Sequence, residues 1–152
     1  MKKQILTLLV LTGILIPVTA QKSDQEMIKE VIQTAYIDGL VNTGNQEAIR
    51  SGFHPGFNLL GIGEGDRMWK RPIYDWAEAA DMQKQKGELP RTGDDKVSVK
   101  FLNIDVEGTA AVAKVEFYTG NTLRYIDFLS LYKFESGWKI VGKIFYQIPE
   151  TN

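Results

Sequence analysis

The stretch VSVKF at residues 97–101 opens the half of the chain that decides the fold. Its apolar residues alternate with Ser98 and Lys100, and such alternation is typical of a β-strand with one buried face. We therefore expect a sheet to begin here.

Three further stretches with strand character follow, at residues 110–118, 123–134 and 138–148. They are rich in β-branched and aromatic residues, and short turns that contain glycine separate them. Consecutive strands joined by tight turns predict a four-stranded antiparallel meander.

The first half of the chain predicts helices and one short hairpin. Ser23, followed by Glu26 three residues later, is a capping box, which marks the start of a helix. Apolar residues then recur at helical spacing. The predicted elements are helices over residues 24–41, 45–50 and 72–87, with a hairpin of residues 57–62 and 67–70 before the last helix.

This order of elements predicts an α+β fold. Helices segregated from an antiparallel sheet are typical of that class, and one face of such a sheet needs a cover. The three amphipathic helices supply it. A sheet bent around them leaves a cavity open at one end, so we expect a pocket between sheet and helices.

The composition fits one globular domain without disulfide bonds. The chain has 152 residues, 43% of them hydrophobic, and no cysteine. A domain of this size can bury a sufficient core without disulfides or metal. Its 18 basic and 19 acidic residues form no basic stripe, which argues against nucleic acid as a partner. One histidine and no cysteine argue against a structural zinc site.

Residues 1–20 have the pattern of a secretory signal peptide. Lys2 and Lys3 precede an apolar run over residues 5–16, and small or compact residues end the segment. The run is shorter than the roughly 20 residues that a membrane span needs, so cleavage after Ala20 is favoured over anchoring. We expect residues 21–152 to form one exported domain, periplasmic or secreted, with no membrane anchor after cleavage.

Several segments resemble one known family. FHPGF at residues 53–57, YIDFLSL at 125–131 and WKIVGKIF at 138–145, in this order of elements, are similar to the nuclear transport factor 2-like (SnoaL-like) superfamily. They look most like its bacterial lumazine-binding branch. The resemblance covers essentially the whole chain after residue 20.

The resemblance implies a cone-shaped roll of the cystatin-like type, in which a curved antiparallel sheet packs on three N-terminal helices. It also implies a pocket for a small hydrophobic or aromatic molecule, and homodimers are frequent. The superfamily includes isomerases, dehydratases, polyketide cyclases and non-catalytic proteins, so the fold predicts a pocket rather than a reaction. A pteridine ligand is implied by the branch name alone, and no cofactor is otherwise expected.

Asp127 is the most informative polar residue of the predicted sheet. It lies in mid-strand among apolar neighbours, where an unpaired carboxylate is costly to bury. A two-residue turn at Glu135-Ser136 would place it opposite Ile144 on the pocket face, where it could act as a base or anchor a ligand. A register shifted by one residue would turn it to solvent instead.

His54 is the only histidine and, with Asp127, the second candidate catalytic residue. Its imidazole could titrate near neutral pH and form an acid–base pair with the Asp127 carboxylate. The alternative is a loop histidine whose nitrogen satisfies backbone groups beside Pro55.

Large aromatic side chains are candidates for the pocket walls, because ligand cavities combine aromatic walls with few polar groups. Tyr36 is the strongest of them, since its hydroxyl would need a partner on the buried side of the first helix. Trp138 is expected to belong to the core. The predicted ligand-binding residues are Tyr36, His54, Trp69, Trp76, Asp127 and Tyr146.

A second apolar face is predicted on the outside of the sheet. Its residues are Phe128, Tyr132, Phe134, Val141 and Phe145. Such a face needs a cover, and a second copy of the chain is the simplest one. Lys143 falls on this face in the same register, either paired with a charge on a neighbouring strand or solvated.

Three functions follow, in order of preference. The first is an exported protein that binds a small molecule, because only one buried ionisable residue is expected beside aromatic walls. The second is an isomerase, dehydratase or cyclase in which Asp127 and His54 move protons. The third is a non-catalytic dimeric interaction module.

Overall fold

The structure is a computed structural model that describes residues 22–150. The predicted signal peptide, residues 1–20, lies outside the described residues. No helix in the described part of the chain is both long and apolar enough to cross a membrane.

The helices lie in the first half of the chain, as predicted. They are α1 (Asp24–Val31), α2 (Gln46–Gly52) and α3 (Ile73–Gln85). The chain from α1 continues without a break into a π-helical segment, Ile32–Thr43, so the predicted helix over residues 24–41 is present but winds more widely in its second part.

Six strands form the sheet. They are β1 (Phe53–Ile62), β2 (Met68–Pro72), β3 (Val97–Glu107), β4 (Ala110–Thr119), β5 (Thr122–Phe134) and β6 (Gly137–Gln147). Strand β1 begins at Phe53, earlier than the predicted start at residue 57.

Local polar contacts define where the helices begin and end. The Ser23 hydroxyl accepts a hydrogen bond from the Glu26 amide and the Glu26 carboxylate accepts one from the Ser23 amide, which completes the predicted capping box. Asn45 caps α2 by accepting from two amides of its first turn. Gly44, at φ 61°, lets the chain leave the π-helical segment in the left-handed conformation.

The sheet has the strand order β2-β1-β6-β5-β4-β3. The predicted meander β3–β6 is antiparallel throughout, and β1 and β2 form the predicted hairpin. The α+β class is therefore confirmed. The sheet is mixed rather than wholly antiparallel, because the hairpin joins the meander through a parallel pairing of β1 with β6.

A β-bulge in β6 determines which side chains face inward. The predicted two-residue turn is present, since Phe134 pairs with Gly137. Leu131 then pairs with Ile140 but Ser130 pairs with Gly142, so Val141 is the extra residue. Because side chains alternate along a strand, every residue after the bulge changes face relative to a regular ladder.

The bulge corrects the sequence-based assignments of four residues. Asp127 lies opposite Phe145 rather than Ile144. Its side chain is buried and faces inward, which is one of the two predicted alternatives. Lys143 and Phe145 turn toward the helices, and Ile144 turns outward with 54% of its surface exposed.

The core lies between the helices and the inner face of the sheet. Its fully buried side chains include Ile28, Ile32, Ile37, Leu40, Val115, Leu129, Leu131 and Ile140. Trp138 is also buried, as predicted, and its indole N–H donates to the Asp24 carboxylate. This layer holds the sheet against the helices.

Candidate functional site

Three polar side chains meet inside the otherwise apolar core. The Tyr36 hydroxyl donates to Oδ2 of Asp127 at 2.7 Å, and the Lys143 ammonium donates to the same oxygen at 2.6 Å. Lys143 also donates to the Tyr36 hydroxyl oxygen. The three groups thus form a closed triangle of charge-assisted hydrogen bonds.

The sequence positions each member from a different element. Tyr36 lies on the inner side of the π-helical segment, between buried Ala35 and Ile37. Asp127 lies in the middle of β5, and Lys143 reaches the same level because the bulge in β6 turns it inward. The triangle therefore depends on contacts between residues that are far apart in the chain.

The carboxylate of Asp127 is buried completely, and only one of its oxygens is satisfied. Oδ1 has no hydrogen-bond partner in the described part of the chain. A buried acceptor without a donor is costly, and the ion pair with Lys143 offsets part of the cost of burying this carboxylate.

Aromatic rings surround the Lys143 ammonium. The distances from its nitrogen to the ring centroids are 4.6 Å for Tyr36, 5.6 Å for Trp76, and 5.7 Å for both Phe117 and Phe145. The negative faces of aromatic rings attract a cation at such distances. The cation is thus held by the Asp127 carboxylate, by the Tyr36 hydroxyl and by its aromatic neighbours.

Burial moves the proton equilibria of two members of the triangle. It lowers the pKa of Lys143, and the nearby Asp127 carboxylate opposes part of that shift. It raises the pKa of the Tyr36 phenol well above its usual value, and the negative charge of Asp127 adds to the effect. The phenol therefore stays protonated over a wide pH range and acts as a donor.

A cavity of about 350 Å³ opens beside the triangle. Side chains from the π-helical segment, from α3 and from five of the strands line it, and Tyr36, Trp76, Phe117 and Lys143 are among them. An ammonium has three N–H groups, and Lys143 uses two of them within the triangle. The remaining N–H can donate to an acceptor on a molecule in the cavity.

A larger depression of about 590 Å³ lies between α2, β1 and α3. It is lined mainly by apolar residues such as Ile49, Phe53 and Ala77, with charged side chains that are not buried at its edge. Because no buried polar group faces it, it offers little to orient a ligand. The candidate site is therefore the smaller cavity beside Lys143.

The six predicted ligand-binding residues separate into two groups. Tyr36 and Trp76 line the cavity, and Asp127 contacts both polar groups of its wall. Trp69 lies on β2 with 40% of its surface exposed and is not part of the lining. Tyr146 points to the outer face, 56% exposed, because the bulge reverses the end of β6.

His54 does not come near Asp127. Its ring stacks on Phe134 with centroids 4.8 Å apart, and its Nδ1 accepts from the Gly56 amide. Phe134 lies at the far end of β5, roughly 23 Å along the strand from Asp127 at ~3.3 Å per residue. The predicted acid–base pair is therefore wrong, and the alternative of a histidine that satisfies local backbone is the one observed.

Lys143 is the site residue that sequence reasoning placed on the wrong face. One signal in the sequence does point to Lys143. It is a lysine among apolar residues of one strand, and Asp127 is an aspartate among apolar residues of the neighbouring strand, so the two could pair. To place Lys143 on the inner face, one must know that β6 contains a bulge, and the hydrophobic pattern of the sequence does not indicate it. In the described part of the chain, no cluster of three or more histidine or acidic side chains could hold a metal ion.

The comparisons with known proteins agree with this architecture. A family model described as "Putative lumazine-binding" matches residues 23–146. The chain belongs to this family. The resemblance inferred from the sequence is thus confirmed, and the lumazine-binding family is part of the nuclear transport factor 2-like superfamily. No curated protein matches the sequence.

Solved structures support the fold of this lumazine-binding family member. A nuclear transport factor 2-like protein of unknown function from Shewanella baltica is 24% identical, with a TM-score of 0.64, over 86% of this chain and 100% of that chain. One from Methylobacillus flagellatus is 27% identical, with a TM-score of 0.61, over 87% and 98% of the two chains. The CaMKII hub of S. rosetta is 15% identical, with a TM-score of 0.54, over 81% and 95%.

Proposed function

We propose that this protein binds a small hydrophobic or aromatic molecule in the cavity beside the Tyr36–Asp127–Lys143 triangle. The observation that carries the proposal is the buried Lys143 ammonium, which has one N–H left to donate and lines a cavity together with several aromatic rings. Apolar walls would supply affinity, and this one donor would orient the ligand.

Binding is a better account of the site than proton transfer. The Tyr36 hydroxyl is already engaged with Asp127, and the Asp127 carboxylate is buried behind the two other members of the triangle. The one histidine that could have moved protons lies at the other end of β5. The triangle therefore holds a fixed charge arrangement against which a ligand can dock.

The test uses the wild-type protein and a variant with a filled cavity. Ala79 lines the cavity from α3 and is half-buried, so Ala79→Phe should occupy the space while leaving the triangle intact. NMR titration with a panel of aromatic fragments that includes lumazine should shift the resonances of Tyr36, Trp76 and Lys143 in the wild type only. A panel that shifts none of these resonances in the wild type would reject the proposal.

We also propose that two copies associate through the outer sheet face. Its exposed apolar side chains are Val112, Phe128, Tyr132, Phe134, Ile144 and Tyr146. Phe128, Tyr132 and Phe134 belong to the predicted set. The bulge brings Ile144 and Tyr146 to this face in place of Phe145, Val141 is half-buried, and Val112 is an addition from β4. A row of exposed apolar side chains is what a second copy with the same face would bury.

Light scattering after size exclusion tests the association. Phe128→Lys, in the middle of the outer face, should convert a dimer to a monomer. Met82→Lys is the matched control, because Met82 is 49% exposed but lies on α3, away from the sheet. A wild-type mass equal to one chain at micromolar concentration would contradict the proposal.

A further inference from the structure

The charged residues that line the cavity are all cations. Arg71, Arg91 and Lys143 contribute to the lining, and no aspartate or glutamate does. The chain as a whole carries nearly equal numbers of acidic and basic residues, so this excess is local to the cavity.

The three cations are not equivalent, because only one of them has a counter-charge. Lys143 is neutralised by Asp127. Within residues 22–150, neither Arg71 nor Arg91 forms a salt bridge. The cavity therefore presents two uncompensated positive charges, which favour an anion over a neutral molecule.

Arg71 lies on the same row of the sheet as Lys143. Leu59 of β1 pairs with Arg71 on one side and with Lys143 on the other. Residues paired across neighbouring strands project on the same face, so Arg71 faces the cavity from the edge of the sheet. Two strand spacings of about 4.8 Å put the two Cα atoms about 10 Å apart.

Arg91 is held in place by the backbone of the π-helical segment. Its amide donates to the Asn42 carbonyl at 2.8 Å, and its Nε donates to the Val41 carbonyl at 3.1 Å. These contacts fix the guanidinium while leaving its two terminal nitrogens without a protein acceptor among the described residues. A carboxylate can accept from such nitrogens.

We propose that the ligand is an aromatic carboxylate, with the ring against Trp76 and Phe117 and the carboxylate toward Arg71 and Arg91. This inference rests on the proposed binding function and adds the chemical class of the ligand. Because Arg71 and Lys143 lie on one row of the sheet with Leu59 between them, a flat aromatic acid can extend along that row from the arginines toward Lys143.

The experiment compares naphthalene-2-carboxylate with naphthalene-2-carboxamide, which has the same shape and no charge. In titrations followed by NMR, the carboxylate should bind the wild type about tenfold more tightly than the amide, as charge-assisted hydrogen bonds are stronger than neutral ones. Arg71→Gln and Arg91→Gln should each weaken carboxylate binding several-fold and leave amide binding unchanged.

Arg124→Gln is the matched control, since Arg124 is a surface arginine paired with Glu150 and does not line the cavity. It should change neither affinity. Equal binding of both compounds, or equal losses for both in the arginine variants, would overturn the inference while the proposed binding function stands. If neither compound shifts a cavity resonance, the ligand class is rejected, and lumazine and the remaining neutral fragments decide the binding function.

Discussion

At the scale of single residues, the Lys143–Asp127 ion pair is the feature that calls for an explanation. Burying two charges costs about as much free energy as their attraction returns, so an apolar pair of the same volume is often as stable. Fold stability therefore gives little reason for this pair. Its place at the wall of a cavity, with one N–H left over, accounts for it better.

Removal of one partner should be far more damaging than removal of both. Lys143→Met leaves the Asp127 carboxylate buried with Tyr36 as its only donor, and we expect a loss of about 3–5 kcal/mol in the free energy of unfolding. The double variant Lys143→Met/Asp127→Leu should recover most of that loss. Urea denaturation measures both, and a double variant no more stable than the single one would contradict this account.

The Tyr36 phenol should make the protein sensitive to alkali. Its pKa is raised in the folded state, so above about pH 10 the unfolded phenol ionises first and the folded state binds more protons. Stability should then fall by up to about 1.4 kcal/mol per pH unit from this group. Lys143 acts in the opposite direction only below its unfolded pKa of 10.5.

The measurement is therefore made between about pH 11 and 12, where lysine is mostly neutral in the unfolded chain. Denaturation curves of Tyr36→Phe should lose stability with pH less steeply than those of the wild type. Parallel pH dependence in the two proteins would show that Tyr36 titrates alike in both states.

At the scale of elements, one β-bulge and one pair of side-chain hydrogen bonds position the residues of the site. The bulge at Val141 turns Lys143 inward, and Asn42 ties the end of the π-helical segment to the start of β3. The Asn42 carboxamide donates to the Val97 carbonyl and accepts from the Val97 amide, both at 2.9 Å. The Asn42 side chain thus satisfies the Val97 backbone groups that a neighbouring strand would otherwise pair with. It also fixes the position of the π-helical segment that carries Tyr36.

Loss of this side chain should be costly because Val97 is buried. Asn42→Ala leaves one backbone donor and one acceptor without partners, and we expect a loss of about 2–4 kcal/mol. Hydrogen exchange should also show the Val97 amide becoming unprotected. Asn103→Ala, at an exposed position of β3, is the control and should change stability by less than about 0.5 kcal/mol. Equal small effects at both positions would refute the role of Asn42.

At the scale of the whole molecule, the two faces of one sheet serve different purposes. The inner face packs on the helices and lines part of the cavity, while the outer face keeps a row of apolar side chains at the surface. The fold accommodates both because alternate residues of each strand belong to different faces.

The export of the chain is a prediction at the same scale. Residues 1–20 should be removed between Ala20 and Gln21 when the full chain is expressed in a secreting bacterium. Intact-mass measurement and N-terminal sequencing of the periplasmic fraction should give a chain that begins at Gln21. A chain that keeps Met1 and stays with the membranes would favour the anchored alternative.

Local features of the sequence determined the elements and the α+β class. Helical spacing in residues 24–41, the capping box at Ser23 and the turns between the four long strands act over a few residues, so they can be read without a structure. The same local logic identified Tyr36 and Trp76 as candidates for the cavity wall. It also showed that Asp127 would need a partner if it were buried.

Only the tertiary structure decided which partner that is. The bulge at Val141 and the parallel pairing of β1 with β6 depend on contacts between distant segments, and neither leaves a trace in hydrophobic periodicity. A shift of one residue exchanges the two faces of a strand, which is why Lys143 lies inside and Tyr146 outside. The order of elements is a local property of this chain, whereas its charged triangle is a consequence of packing.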